Sequence, residues 1–352
     1  TPADAEATIK VISVSAEGVT TISATATDNV SNGSAPSTAE VRIDTTAPQV
    51  QVVPATTEWS ATPVDVTITA TDARSGVGSI TFDCGTGTCT EISDEPDAGT
   101  GTARKVVRVS GEGITTVSAT ATDNAGNGSV APSTAEVRVD LTDPTITSFS
   151  VTPDGDGIYA LGEAVTATFA CSDEQSGLAS CELFDGTTRV AVGSPYTIDT
   201  STPGTHRLTV TATDLVDRTT TSEVITVTVA YGICLLYDPT LEKNIGSNYT
   251  IKLRLCDSQG RNLSARNITL TALTVDQSDD PGPNFSGKAN DGYEFRYNAT
   301  DASYIYNLDT TRLDAGSHLL YFTTRPVPKP RPTDPNVLNS YVDAAPAPFA
   351  LR

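Results

Sequence analysis

Lys10–Ser34 reads KVISVSAEGVTTISATATDNVSNGS, and Lys105–Ser129 reads KVVRVSGEGITTVSATATDNAGNGS. Eighteen of these 25 positions are identical at an offset of 95, and the match continues through APSTAEVRIDTTAP (35–48) and APSTAEVRVDLTDP (131–144). A weaker third copy, GTHRLTVTATD, starts at Gly204 and parallels GITTVSATATD from Gly113. An Asp-x-x-Ser-Gly-apolar element also recurs, at Asp72, Ser75, Gly76, Val77 and at Asp173, Ser176, Gly177, Leu178. Self-similarity at a fixed period marks a tandem-module architecture. Residues 45–144 form one whole unit and 145–230 another with a shorter middle, whereas 1–44 align only with the second half of a unit. That half-module is expected to pair with residues upstream of Thr1 or to present open sheet edges.

Within each unit the pattern is β. VDVTITATD (64–72), TTVSATATD (115–123) and HRLTVTATD (206–214) alternate apolar or small residues with Thr at period two, the signature of a half-buried strand. Gly, Pro, Asn and Asp punctuate the strands. About seven short strands in ~90–100 residues predict an immunoglobulin-like sandwich. Its core should take Val66, Ile68 and Ala70 from one sheet and Val117, Ala119 and Ala121 from the other. The predicted fold class is therefore all-β: tandem immunoglobulin-like sandwiches in a linear array. The strings TDARSGV, TATDNAGN and VRIDTTAP resemble the tandem Ig-like repeats of bacterial surface and secreted proteins, a resemblance that covers residues 1–230.

From Tyr231 the composition changes, and 13 of the 19 Tyr and Phe residues lie in 231–352. This segment is expected to be a distinct C-terminal β-sandwich. Its Cys pair, Phe295-Arg296-Tyr297 and closing Phe-Ala-Leu-Arg resemble the PxKF domain of bacterial extracellular proteins, although Thr250 stands where that family's motif has Pro. Tyr293, Phe295 and Tyr297 alternate, and so do Tyr304 and Tyr306, with a turn between them. They form either an aromatic platform for sugar rings or cross-strand packing in a core, and packing is the weightier reading.

Asp72 and Asp123 end two strands whose following loops sit at the end where the chain enters the module, and Asp44 lies in the entering linker. The next junction offers Asp140, Asp143, Asp173 and Asp214 in the same arrangement. Calcium takes about six to eight oxygen ligands, and carboxylates from a linker and two loops suit it. The competing reading is local turn chemistry, in which Asp accepts hydrogen bonds from its own loop backbone. Calcium is the ion these residues suit, and no motif requires any other cofactor.

Cys84/Cys89, Cys171/Cys181 and Cys234/Cys256 form local pairs, each inside one unit. Disulfides are the expected chemistry, with an oxidising, extracellular location. The chain carries 22 basic against 43 acidic residues, a net charge of −21. That argues against a Lys/Arg surface for nucleic acid. No run approaches the ~18–20 apolar residues of a spanning helix. The chain has no phosphate-binding Gly loop, no Gly-x-Ser-x-Gly and no His-Glu-x-x-His, and no catalytic role is assigned. The leading expectation is a non-catalytic structural or adhesive segment, a stalk or spacer of a larger bacterial surface or secreted protein. Its partners would be neighbouring modules and a cell-surface glycan or protein. The alternative is an accessory or glycan-binding segment C-terminal to the catalytic domain of a secreted enzyme.

Overall fold

The computed structural model describes residues 8–277, 284–285, 292–328, 332, 334, 337 and 344–352, with the backbone alone at 284–285. The Pro-dense segment RPVPKPRPTDP (325–335) carries a basic pair, Lys329 and Arg331, that lies outside the described residues. The chain forms two compact units. The first takes the described residues up to Asp143 together with Asp173–Gly177 and Asp214–Arg218. The second takes Pro144–Ser172, Leu178–Thr213 and the described part of Thr219–Arg352.

In the first unit, Val64–Thr71 alternates buried and part-covered residues, with Val66, Ile68 and Ala70 fully enclosed. It lies inside a four-stranded sheet ordered Gln49–Pro54, Val64–Thr71, Thr102–Val109, Cys89–Glu95. The other sheet is ordered Trp59–Ser60, Ser133–Val139, Gly113–Asp123, Val77–Asp83. Its pairs are antiparallel except Trp59–Ser60, which runs parallel to Ser133–Val139. Val117, Ala119 and Ala121 of the second sheet meet Val66, Ile68 and Ala70 in one core. Two antiparallel sheets closed over alternating small apolar residues make an immunoglobulin-like sandwich. Each buried Val contributes roughly 1.5–3 kcal/mol and each Ala less, so this core is thin.

Before it, Gly18–Ala24 and Ser37–Ile43 form a two-stranded antiparallel sheet. Ile22, Val41 and Ile43 are only half-buried there, whereas their repeat counterparts Val117, Val137 and Val139 are fully enclosed.

In the second unit, Thr145–Thr152, Thr166–Ser172 and Tyr196–Thr197 form one sheet. The other is ordered Ile158–Ala160, Ile225–Ala230, Gly204–Asp214, Leu178–Asp185, Thr188–Ala191. Thr219–Thr221 pairs with the far end of Gly204–Asp214. Residues 231–352 add a sheet built on Gly232–Leu235, Asn248–Cys256 and Ser303–Asp309, and another of Thr271–Val275, Gly316–Thr323 and Ala347–Leu351. Their core is large and aromatic: Tyr249, Tyr304, Tyr306, Phe322 and Phe349 are all enclosed.

The cysteines pair as Cys84–Cys89, Cys171–Cys181 and Cys234–Cys256. Cys171–Cys181 joins Thr166–Ser172 to Leu178–Asp185, one strand from each sheet of its sandwich. Cys84–Cys89 links the residue that follows Val77–Asp83 to the start of Cys89–Glu95 in the other sheet.

Candidate metal centres

Asp72 ends its strand and turns its Oδ1 back on its own loop, accepting from the amides of Arg74 and Gly76. The Asp-x-x-Ser-Gly element exists for this turn. Gly76 has φ +78°, where a side chain is strained, and a Cβ there would lie 2.6 Å from Asp97 Oδ2. Asp123 Oδ1 accepts in the same way from the amides of Ala125 and Asn127. Asp44, in the linker, accepts from Thr46 N with Oδ1 and from Ser75 N with Oδ2. The second junction repeats every bond: Asp173 from Gln175 and Gly177, Asp214 from Val216 and Arg218, Asp140 from Thr142 and Ser176.

The turn-chemistry reading of these aspartates is therefore satisfied, through one oxygen in Asp72, Asp173 and Asp214 and through both in Asp44, Asp123 and Asp140. The carboxylates also converge. One oxygen from each of Asp44, Asp72 and Asp123 lie within 4.8 Å of one another, and so do one from each of Asp140, Asp173 and Asp214. Oxygen ligands of one calcium ion, at about 2.3–2.6 Å, lie at most about 5 Å apart. The all-oxygen donor set and its spacing fit a hard cation. Asp140 and Asp214 have no exposed surface at all. Asp214 Oδ2, Ser75 Oγ and Ser176 Oγ are buried without a hydrogen-bond partner.

Asp143 does not join its cluster. Its Oδ1 accepts from Arg218 Nε at 2.8 Å, and the side chain is largely exposed. Its placement among the cation ligands is corrected accordingly.

Like charge and hydrogen bonding oppose each other in the first cluster. Burial pushes Asp123 up and the Asp44 charge adds to this, but hydrogen bonds from Asn127 and Ala125 outweigh them and hold it below the usual carboxylate range. Hydrogen bonding from Ser75 lowers Asp44 against the cost of burial, with help from Thr46 and the Arg74 charge. Asn127 Nδ2 donates to Asp123 Oδ2 and to the Asp44 carbonyl, tying loop to linker directly.

Three further carboxylates shape these ends without having been singled out in the sequence. Asp97 accepts from the amides of Gly99, Thr100, Gly101 and Val77, fixing the loop beside Gly76. Glu17 accepts from Thr46 Oγ1, and Glu112 accepts from Leu141 N and Thr142 Oγ1. The two glutamates are repeat equivalents in the EGVTT and EGITT strings, which is the signal that marks them.

The aromatic residues of 293–306 mostly pack inward, the weightier of the two readings. Phe295, Tyr304 and Tyr306 are enclosed, with Phe295 packed on Tyr306 and Phe322 and Tyr297 edge-on to Tyr304. Only Tyr293 is exposed. Alternation is broken because the strand begins at Arg296, after Tyr293. The two histidines are clamped alike. His206 Nδ1 meets Asp185 and its Nε2 the Asp199 carbonyl; His318 Nδ1 meets Asp276 and its Nε2 the Asp314 carbonyl. Lys252 reaches Asp301, whose carboxylate Ser303 also holds. Among the described residues no helix is long and apolar enough to cross a membrane.

No protein-family model matches the chain, so the PxKF resemblance gains no support there, and no curated protein matches it. Solved structures that the chain matches include the FdeC adhesin of Escherichia coli, at 13% identity over 86% of this chain and 96% of that one, with a TM-score of 0.29. Invasin, a bacterial integrin-binding protein, is 14% identical over 87% of this chain and 60% of that one, with a TM-score of 0.25. The Yersinia pseudotuberculosis adhesin InvE is 14% identical over 72% and 75%, with a TM-score of 0.23.

Proposed function

We propose that this chain is a non-catalytic extracellular segment, a spacer or adhesive stalk, whose module junctions are stiffened by calcium. One observation carries the reading: each linker aspartate, Asp44 and Asp140, meets two loop aspartates of the following repeat in a buried cluster. A cation there ties a linker to two loops that would otherwise hinge. Asp44, Asp72 and Asp123 hold one ion, and Asp140, Asp173 and Asp214 the other. The ion supplies positive charge and fixed geometry, with no chemical step. Three disulfides support an oxidising location outside the cytosol. The PxKF-like resemblance of 231–352 fits the same setting.

Small-angle scattering of the full chain in millimolar calcium and in chelator tests the reading. Stiffened junctions give a narrower distribution of conformations with calcium. Identical profiles would overturn it.

A second reading concerns glycan binding. A cleft of about 790 Å³ is lined by Tyr231, Tyr293, Asn267, Glu294, Arg325 and Pro326, among others. Its size suits a small ligand, and tyrosine rings beside polar side chains suit a sugar. A glycan array probed with the full chain and with Tyr293→Ala tests it; binding that Tyr293→Ala does not weaken counts against this cleft.

A further inference from the structure

Among the described residues one loop design recurs, and in four copies the residue four places on carries a side chain that could cover the second carboxylate oxygen. In each copy an Asp ends a strand or turn and accepts, through Oδ1, from the amides two and four residues on. Those four are Asp28 to Asn32, Asp123 to Asn127, Asp214 to Arg218 and Asp257 to Arg261; Asp72, Asp97 and Asp173 make the same two bonds with Gly76, Gly101 and Gly177 in the fourth place, which has no side chain to donate. In three of the four the side chain four residues on also covers Oδ2. Asn32 Nδ2 does so at 2.8 Å, Asn127 Nδ2 at 2.7 Å and Arg261 Nε at 2.6 Å. The loop thus carries its own donor for the outer oxygen.

At Asp214 the donor is withdrawn. Arg218 is long enough to reach back, as Arg261 does in the same position, but its Nε lies on Asp143 instead. Asp214 Oδ2 is left with no partner in a residue that has no exposed surface. Ser176 Oγ is likewise buried and unpartnered, a feature it shares with its repeat equivalent Ser75 Oγ at the first junction, so the difference between the junctions rests on Asp214 alone. A buried carboxylate oxygen without a donor is costly, and more so with Asp140 and Asp173 oxygens within 4.8 Å. The first junction relieves the same strain internally: Asn127 donates to Asp123 and bridges to the linker carbonyl, and Arg74, paired with Glu17, adds a positive charge near Asp44.

We propose that the two junctions differ in kind. The Asp140–Asp173–Asp214 cluster requires a divalent oxygen-seeking cation, calcium by ligand type, whereas the Asp44–Asp72–Asp123 cluster holds together without one and binds it more weakly. This rests on the calcium reading of the junctions and adds a ranking to it. Arg218 acts as the selector: turned to Asp143 it leaves Asp214 open to the ion, and turned to Asp214 it would close the site as Arg261 closes Asp257.

The test is calorimetric calcium titration of the chelator-stripped full chain, as wild type, Asp214→Asn, Asp123→Asn and Arg218→Asn. The wild type should show a stronger and a weaker class of site. Asp214→Asn should remove the stronger and Asp123→Asn the weaker. Arg218→Asn keeps all three carboxylates and installs the donor seen at Asn127. It should weaken the stronger class by roughly 10-fold or more, the usual effect of changing a partner of a metal ligand. A stronger class that survives both Asp214→Asn and Arg218→Asn, or that is lost in Asp123→Asn, overturns the ranking but leaves calcium at the junctions. No binding by the wild type overturns both.

Discussion

Arg218 Nε donates to Asp143 Oδ1 at 2.8 Å and so leaves Asp214, the residue whose loop Arg218 closes through its backbone, with Oδ2 buried and unpartnered. A peripheral, largely exposed aspartate thereby controls a buried one. Asp143→Asn removes the charge that holds Arg218 outward. The guanidinium is then expected to settle on Asp214, and the rise in melting temperature on adding calcium should shrink relative to wild type. An undiminished rise would mean that Arg218 does not choose between the two carboxylates.

Gly76 and Asp97 make a second coupled pair. At φ +78° with Asp97 Oδ2 2.6 Å from any added Cβ, Gly76→Ala meets both backbone strain and a clash. A cost of about 1–3 kcal/mol is expected from the strain alone. Trp59, the one tryptophan of the chain, lies in this module, so its fluorescence during denaturant unfolding reads the loss directly.

The inter-sheet disulfide Cys171–Cys181 closes a short loop. Replacing both cysteines by Ala should lower the stability of that sandwich by about 3 kcal/mol in the chain-entropy account. Reduction of the wild type should bring its thermal unfolding to the same place as the double variant.

Acid should act through the paired carboxylates. Lys252 and Ser303 hold Asp301 below the usual range, and Arg108 does the same for Asp65. A depressed folded-state pKa gives stability that is present above the ordinary carboxylate value of 3.8 and lost as pH falls through the folded value. Melting temperature should therefore stay nearly level from neutral pH down to the ordinary carboxylate range and fall below it. Asp301→Asn should flatten the part of that fall due to the C-terminal segment, as read by tyrosine absorbance.

Tyr306 and Tyr293 separate core from surface. Tyr306→Ala opens a cavity in an enclosed aromatic cluster and should cost about 3–5 kcal/mol. Tyr293→Ala, on an exposed ring, should change stability little in the same denaturation assay.

Much of this was legible from residue pattern, and the exceptions share a cause. The period-two runs at 64–71 and 113–123 identify strands and their buried faces, because a pleated strand between sheets sorts side chains by parity. The meeting of Asp44 with Asp72 and Asp123 was legible from their repeated places at a linker and two strand ends. The fate of Asp143 was not: Arg218 has two carboxylates within reach, and only the folded loop decides which one it takes. Asp97 was missed for a similar reason, since one of its donors, Val77, is 20 residues away. Alternation at Tyr293–Tyr297 gave a shared face without saying whether it looked inward or outward, and it overran the real start of the strand.

The most direct test of the whole account is the thermal unfolding of the full chain in millimolar calcium and in chelator. Calcium at 100 times its dissociation constant stabilises the folded form by about 2.7 kcal/mol per site. The account predicts a clear upward shift of the melting transition with calcium, reversed by chelator and largely lost in Asp214→Asn. Superimposable melting curves in calcium and in chelator would contradict it.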